Sequence, residues 1–179
     1  MLFRSYSVTA TGLKDAQGDP GDVNGTGPIL GWTVADLGNL LAPSTTYACG
    51  PDAISTVVDG GAIWFTYDGC NYVYRERAGD FDVRVQVTDV SGGNAASNLT
   101  LDVRESADPD SRHVFAAVYG QIQNRWAAAR RTEFGGASSV LDGNWFVSWP
   151  AGIDFPNVWL RVKRSGETFT VYGGTNGLD

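Results

Sequence analysis

The chain has 179 residues, 42% of them hydrophobic, with 23 glycines and a formal net charge of −7. That length suits one domain with a core of its own. The acidic balance, with Lys14 and Lys163 as the only lysines, argues against nucleic acid, whose phosphates demand a basic patch, and no apolar run is long enough to cross a bilayer as a helix.

In chain order, Met1-Leu2-Phe3-Arg4 lacks the apolar stretch of a signal peptide, so export would make this chain a piece of a precursor. A short strand is expected over Phe3–Val8. The Gly/Asp-rich stretch from Gly12 to Gly27, with Pro20 inside it, has the composition of a linker or a long surface loop. Asp19, Asp22 and Asn24 are spaced a little like a calcium loop, but the twelfth position counted from Asp22 is Thr33 rather than an acid. Calcium is therefore the weaker reading and a solvated turn the stronger. Strands are expected over Ile54–Val58, Ala62–Tyr67 and Tyr72–Arg77.

The clearest stretch is Gly79–Ser106. Phe81, Val83, Val85 and Val87 alternate with Asp82, Arg84, Gln86 and Thr88. Leu99, Leu101 and Val103 alternate with Asn98, Thr100, Asp102 and Arg104. Period two is the signature of a half-buried strand. The turn cluster Ser91-Gly92-Gly93-Asn94 between the runs suggests an antiparallel pair with Arg84, Asp102 and Arg104 on one wet face. Two further hairpins are expected, His113–Tyr119 with Arg125–Phe134, and Val158–Lys163 with Thr168–Tyr172. The segment 135–157 between them shows no strand pattern, and no amphipathic helix of ten residues is visible. Many short strands separated by turns describe two packed antiparallel sheets.

The order of motifs resembles that of the DUF1349-type, laminin-G-like domains of the concanavalin A-like lectin/glucanase superfamily. Gly31-Trp32-Thr33-Val34-Ala35-Asp36-Leu37-Gly38 is similar to their W-x-x-x-D-I-G opening. Ala62-Ile63-Trp64 with Asp68-Gly69-Cys70-Asn71-Tyr72-Val73-Tyr74 is similar to D-I-W … D-x-F-x-Y-V-Y. Gly79-Asp80, Arg104-Glu105-Ser106 with Pro109, Arg131-Thr132 with Gly135-Gly136, and Trp159-Leu160-Arg161 through Phe169 and Tyr172 follow in the same order. The resemblance covers residues 31–179 and implies an all-β, two-sheet antiparallel β-sandwich, a concanavalin A-like jelly roll. Residues 1–30 would then be an N-terminal strand plus linker. The chain stops at Leu178-Asp179, where the family continues with further strands, and Phe3-Arg4-Ser5-Tyr6-Ser7 looks like such a module's final strand. Residues 3–10 are thus expected to complete a sheet in the same molecule or in a neighbour.

Superfamily glucanases carry two carboxylates in an E-x-D-x-x-E run, a spacing that retaining hydrolysis needs. Glu76, Glu105, Glu133 and Glu167 have no such companions, and Asp80/Asp82 and Asp108/Asp110 read as strand-end and turn carboxylates. His113 has no G-x-S-x-G partner. A non-catalytic binding module is therefore expected, with carbohydrate as the ligand. Aromatic faces stack on sugars, and planar polar groups bond to the hydroxyls. The candidates are Trp145 and Trp149, then Arg84, Asp102, Arg104 and Arg131, then Tyr119 and Trp126. The alternative is a structural or adhesive repeat that associates with other copies of itself through an open sheet edge. Cys49 and Cys70 are either two buried thiols or a disulfide. Small, loop-rich β domains of this style are usually exported, which favours the disulfide and an extracellular or cell-surface location. Closing that loop would stabilise by about 3 kcal/mol.

Overall fold

A computed structural model describes residues 6–11, 32–50, 53–94, 96–120, 125–141, 143, 147–148 and 154–177. Among these the chain is all-β, with no helix. The first strands are β1 (Tyr6–Thr11), β2 (Thr33–Leu37), β3 (Ala42–Gly50), β4 (Ala53–Asp59), β5 (Cys70–Tyr74) and β6 (Phe81–Gly92). They are followed by β7 (Asn98–Arg104), β8 (His113–Tyr119), β9 (Arg125–Arg131), β10 (Ser139–Val140), β11 (Val147–Ser148), β12 (Val158–Ser165) and β13 (Thr168–Gly174). Pairing is antiparallel. One sheet runs β13-β12-β6-β1-β4-β3, a second runs β10-β9-β8-β7 with β11 also on β9, and β2 pairs with β5.

The two larger sheets share one core. Val85, Val87 and Val90 of β6 and Val158 and Leu160 of β12 are buried with Ala116 and Val118 of β8. Leu99 and Leu101 of β7 pack against the same cluster. The alternation that marks β6 as a strand supplies this inward face, and it slips once. Val87 and Val90 are both buried, and the register against β1 shifts between Thr9 and Ala10. An extra residue on β6, a β-bulge at Thr88, accounts for both.

β8 is covered on both sides, which explains why His113–Val118 reads as an unbroken buried run rather than an alternating one. Val114, Ala116 and Val118 face the shared core. Phe115 and Ala117 form a second cluster with Ala129, against which Ile63, Trp64 and Tyr119 pack. The small Ala127 and Ala129 of β9, both buried, leave room for the 62–69 segment to lie over this face.

Several expectations hold. β8 with β9, and β12 with β13, are hairpins. In the latter, Gly166 takes a φ of 60° in the two-residue loop, a conformation that glycine adopts without a steric penalty. β1 lies between β4 and β6, so residues 6–10 of the expected 3–10 segment complete the large sheet of the same molecule rather than that of a neighbour, and residues 3–5 lie outside the described residues.

Others are corrected. β6 and β7 do not pair: β6 lies between β1 and β12, and β7 pairs with β8 in the opposite sheet. The linking residues carry the chain from one sheet to the other. Ala62–Tyr67 is not a strand but a looped segment closed by an Ala62–Gly69 bridge. The third expected strand runs over Cys70–Tyr74 rather than Tyr72–Arg77. Cys49 and Cys70 are free thiols, not a disulfide. They sit on different sheets, Cys49 exposed on β3 and Cys70 on β5 opposite Leu37. Burial, with the Asp102 carboxylate beside it, pushes the Cys70 thiol up to about 12.

Candidate functional site

The register of the second sheet places Arg104 of β7 opposite His113 of β8, and His113 opposite Arg131 of β9. Three cationic or titratable side chains thus form a row across one end of the sheet, with Asp102 two residues along β7. The 62–69 segment lies over this row and brings Asp68 into it. The Asp68 N–H donates to the Pro109 carbonyl at 2.8 Å, and the Gly69 N–H to the Ala62 carbonyl at 2.8 Å.

Asp68 is completely buried and Arg131 is 1% exposed. Arg131 grips Asp68 with both ends of its fork, Nη1 to Oδ2 at 2.8 Å and Nη2 to Oδ1 at 2.7 Å. Its Nη2 also donates to the Phe65 carbonyl at 2.7 Å, and its Nη1 to the carbonyls of Pro109 at 3.2 Å and Ser111 at 3.1 Å. Arg104 Nη1 donates to Asp68 Oδ2 at 2.7 Å and Asp102 Oδ2 at 2.9 Å, and its Nη2 to the Asp108 carbonyl at 2.8 Å. Burial works against the Arg104 charge, but Asp102 and Asp68 outweigh it and raise its pKa. Two carboxylates balance two guanidiniums, the arrangement a buried ionic cluster requires.

His113 joins the cluster through both ring nitrogens, Nδ1 3.1 Å from Arg104 Nη1 and Nε2 3.0 Å from Ser138 Oγ. Its Nδ1 is also 3.4 Å from Asp102 Oδ1. By distance alone Ser138, His113 and Asp102 make a serine–histidine–aspartate row. Nδ1 thus lies between a donor and an acceptor, and the two hydrogens of Arg104 Nη1 are already directed at Asp68 Oδ2 and Asp102 Oδ2. Asp102 Oδ1 has no hydrogen bond of its own. Ser138 and His113 are both buried, so the row faces the interior of the protein rather than a substrate in solution.

The cluster is a clamp. It ties together three connecting segments: 62–69, 105–112 and 132–138. The Ser138 N–H donates to the carbonyls of Trp64 at 3.1 Å and Phe65 at 3.3 Å, and the Gly135 N–H to the Asp110 carbonyl at 2.9 Å. On the outside of these segments, three aromatic rings face solvent: Phe65 is 68% exposed, Tyr67 52% and Phe134 52%. Three exposed rings on segments fixed by a buried ion cluster are the strongest candidates for recognition among the described residues.

The residues singled out from the sequence fall in different places. Asp102, Arg104 and Arg131 do come together, but inside the protein. The wet-face expectation fails for them because the 62–69 segment and β5 cover that side of β7; the Tyr72 hydroxyl donates to the Asp102 carbonyl at 3.2 Å. Arg84 lies apart on the outer face of the six-stranded sheet, its guanidinium 5.8 Å above the Trp159 ring. Tyr119 is half-buried against the Phe115 cluster, and Trp126 is half-buried against the shared core. Trp145, Trp149, Asp19, Asp22 and Asn24 lie outside the described residues. Among the described residues there is no group of three or more His, Cys, Asp or Glu side chains fit to hold a metal. Sequence reasoning missed Asp68, His113 and Ser138. The signal available was the polar His113 heading an otherwise apolar strand, which asks for buried partners.

Comparison with family models, curated proteins and solved structures finds no match to this chain.

Proposed function

We propose that the chain is a non-catalytic, extracellular binding module of the concanavalin A-like, laminin-G-like kind, with carbohydrate as its ligand. The observation that carries this reading is the clamp itself. A buried ion cluster holds three segments in one arrangement, and Phe65, Tyr67 and Phe134 stand on them in solvent. Binding surfaces gain affinity when their loops are ordered beforehand, because little entropy is then lost on association. Exposed aromatic rings suit the apolar faces of sugars. The motif order from Gly31 to Tyr172, and a core shared between two larger antiparallel sheets, support the jelly-roll assignment.

A glycan array followed by titration of the best hit tests it. The expected result is saturable binding to some oligosaccharide, weakened at least tenfold in Phe65→Ala and in Phe134→Ala, with thermal stability unchanged. Binding to no glycan, or unaltered binding when Phe65, Tyr67 and Phe134 are all alanine, would overturn the reading.

A self-associating repeat is the second reading, and the specific observation behind it is the nine-residue edge strand β3 with Tyr47 48% exposed. That edge is already partly occupied, since the Ser44 N–H donates to Asp36 Oδ2 at 2.9 Å. Light scattering that finds assembly at micromolar concentration, abolished by Tyr47→Lys, would favour this second reading over the first.

A further inference from the structure

The outer face of the β13-β12-β6 strip lies on the sheet opposite the clamp and has a register that needs explaining. Arg161 of β12 stands directly opposite Arg84 of β6, and Lys163 directly opposite Asp82. Like charges facing each other across antiparallel strands are destabilising. Among the described residues one carboxylate, Asp82, stands among these three cations, and Arg84 Nη1 donates to the Gly177 carbonyl at 3.4 Å. Arg161 holds Asp82 with Nε to Oδ1 at 2.7 Å and Nη2 to Oδ2 at 2.6 Å. The Arg161 hydrogen bonds keep the Asp82 carboxyl below its usual range, and the charges of Lys163 and Arg84 act in the same direction. The flanking strands add no acid: Thr168, Thr170 and Tyr172 lie on this face of β13, and β1 is Tyr-Ser-Val-Thr-Ala-Thr. Asp80 and Glu167 sit at the turn end, where Asp80 is already engaged with the Gly166 N–H at 2.7 Å; Asp89 lies beyond the bulge in β6.

The two guanidiniums are laid over aromatic rings, Arg161 5.2 Å above Tyr172 and Arg84 5.8 Å above Trp159. Stacking of this kind orders the planar fork before any ligand arrives. Lys163, Arg84 and Thr170 are exposed.

We infer that this face binds an anionic polysaccharide, one bearing carboxylate or sulfate groups, through Arg84, Arg161 and Lys163. Neighbouring strands are about 4.8 Å apart and alternate residues of a strand about 6.6 Å apart, so the cations form a small flat grid rather than a pocket. Such a grid suits a linear chain carrying repeated anions lying along the sheet, with threonine hydroxyls beside it for the sugar. The protein's net charge of −7 does not forbid this. At physiological salt, charges more than about 8 Å away are largely screened, so the local excess of cations decides. The inference does not depend on the aromatic loop surface, which belongs to the other sheet.

The test is isothermal titration of the full chain with polygalacturonate and with dextran sulfate, against uncharged dextran, polyglutamate and duplex DNA. Binding of at least one anionic polysaccharide is expected, falling at least tenfold between about 50 and 500 mM salt, as counterion release requires. Dextran should not bind. The exposed double substitution Arg84→Gln/Lys163→Gln should lower the affinity at least tenfold with an unchanged near-ultraviolet circular dichroism spectrum, whereas Phe65→Ala/Phe134→Ala should leave it intact. Absence of binding, full binding by the double variant, or equal binding of polyglutamate or DNA would overturn the assignment. Loss in the Phe65/Phe134 variant instead would place the anion at the loops and overturn it as well.

Discussion

Replacing Arg131 by methionine is expected to destabilise the fold by about 3–5 kcal/mol, the range for removing one partner of a buried ion pair. The side chain spans the clamp: it donates to both oxygens of a fully buried Asp68 and to the carbonyls of Phe65, Pro109 and Ser111. Methionine fills much of the volume but offers no donor, so Asp68 Oδ1 and the Phe65 carbonyl lose the guanidinium partner that holds them. The loss corresponds to a fall in melting temperature of about 6–20 °C for a domain of this length. Arg131→Lys should recover only part of it, since a point charge cannot reproduce the bidentate fork. Adding Asp68→Asn to Arg131→Met should cost much less than the sum of the two single changes, because the carboxylate that Arg131 neutralises is gone. Chemical denaturation of the unsubstituted protein and of these four variants, Asp68→Asn alone included, measures this directly. A loss under about 1 kcal/mol for Arg131→Met would mean the cluster is not holding the three segments together.

Leu160→Ala should have a comparable effect through a different mechanism. Leu160 is 0% exposed at the centre of the shared core, on β12 opposite Val85, with the small Ala116 among the core residues of the facing sheet. Truncation there leaves a cavity that two hydrogen-bonded sheets cannot easily collapse around, and such sites lose about 2–5 kcal/mol. Urea unfolding is the check, and a loss below 1 kcal/mol would mean the two sheets do not meet at this point. Unlike Arg131→Met, this change should leave the order of the loop segments in the native state untouched.

The strands of this protein are written in its sequence more plainly than their neighbours are. Alternation over Phe81–Val87 and Leu99–Val103 identifies two strands and their inward faces, and both faces do point into the shared core. It says nothing about which strand lies beside which. Where a two-residue loop joins strands, as at Gly166-Glu167, pairing follows from the turn; across 93–97 the chain changes sheets, and the glycines look the same. The polar face of β7 misled for a related reason. Asp102 and Arg104 would be wet on a bare sheet, and only the distant 62–69 segment buries them. That segment reads as a strand because Ile63, Trp64 and Phe65 are apolar, yet Ile63 and Trp64 pack down on β8 while Phe65 faces solvent. Asp68, the acceptor at the centre of the cluster, has no periodic signal at all. Its position follows from tertiary hydrogen bonds to Arg131 and Pro109.

Amide hydrogen exchange on the native protein is the most direct measurement of whether the clamp fixes its segments. The amides of Asp68, Gly135 and Ser138 lie in connecting loops, yet each donates across segments, to Pro109, Asp110 and the Trp64–Phe65 carbonyls. If the buried cluster holds these segments as one unit, the three amides exchange only with global unfolding, as slowly as those in the middle of β8. Exchange at the rate of an exposed loop while β8 stays protected would contradict the account, because the aromatic surface would then have no fixed support.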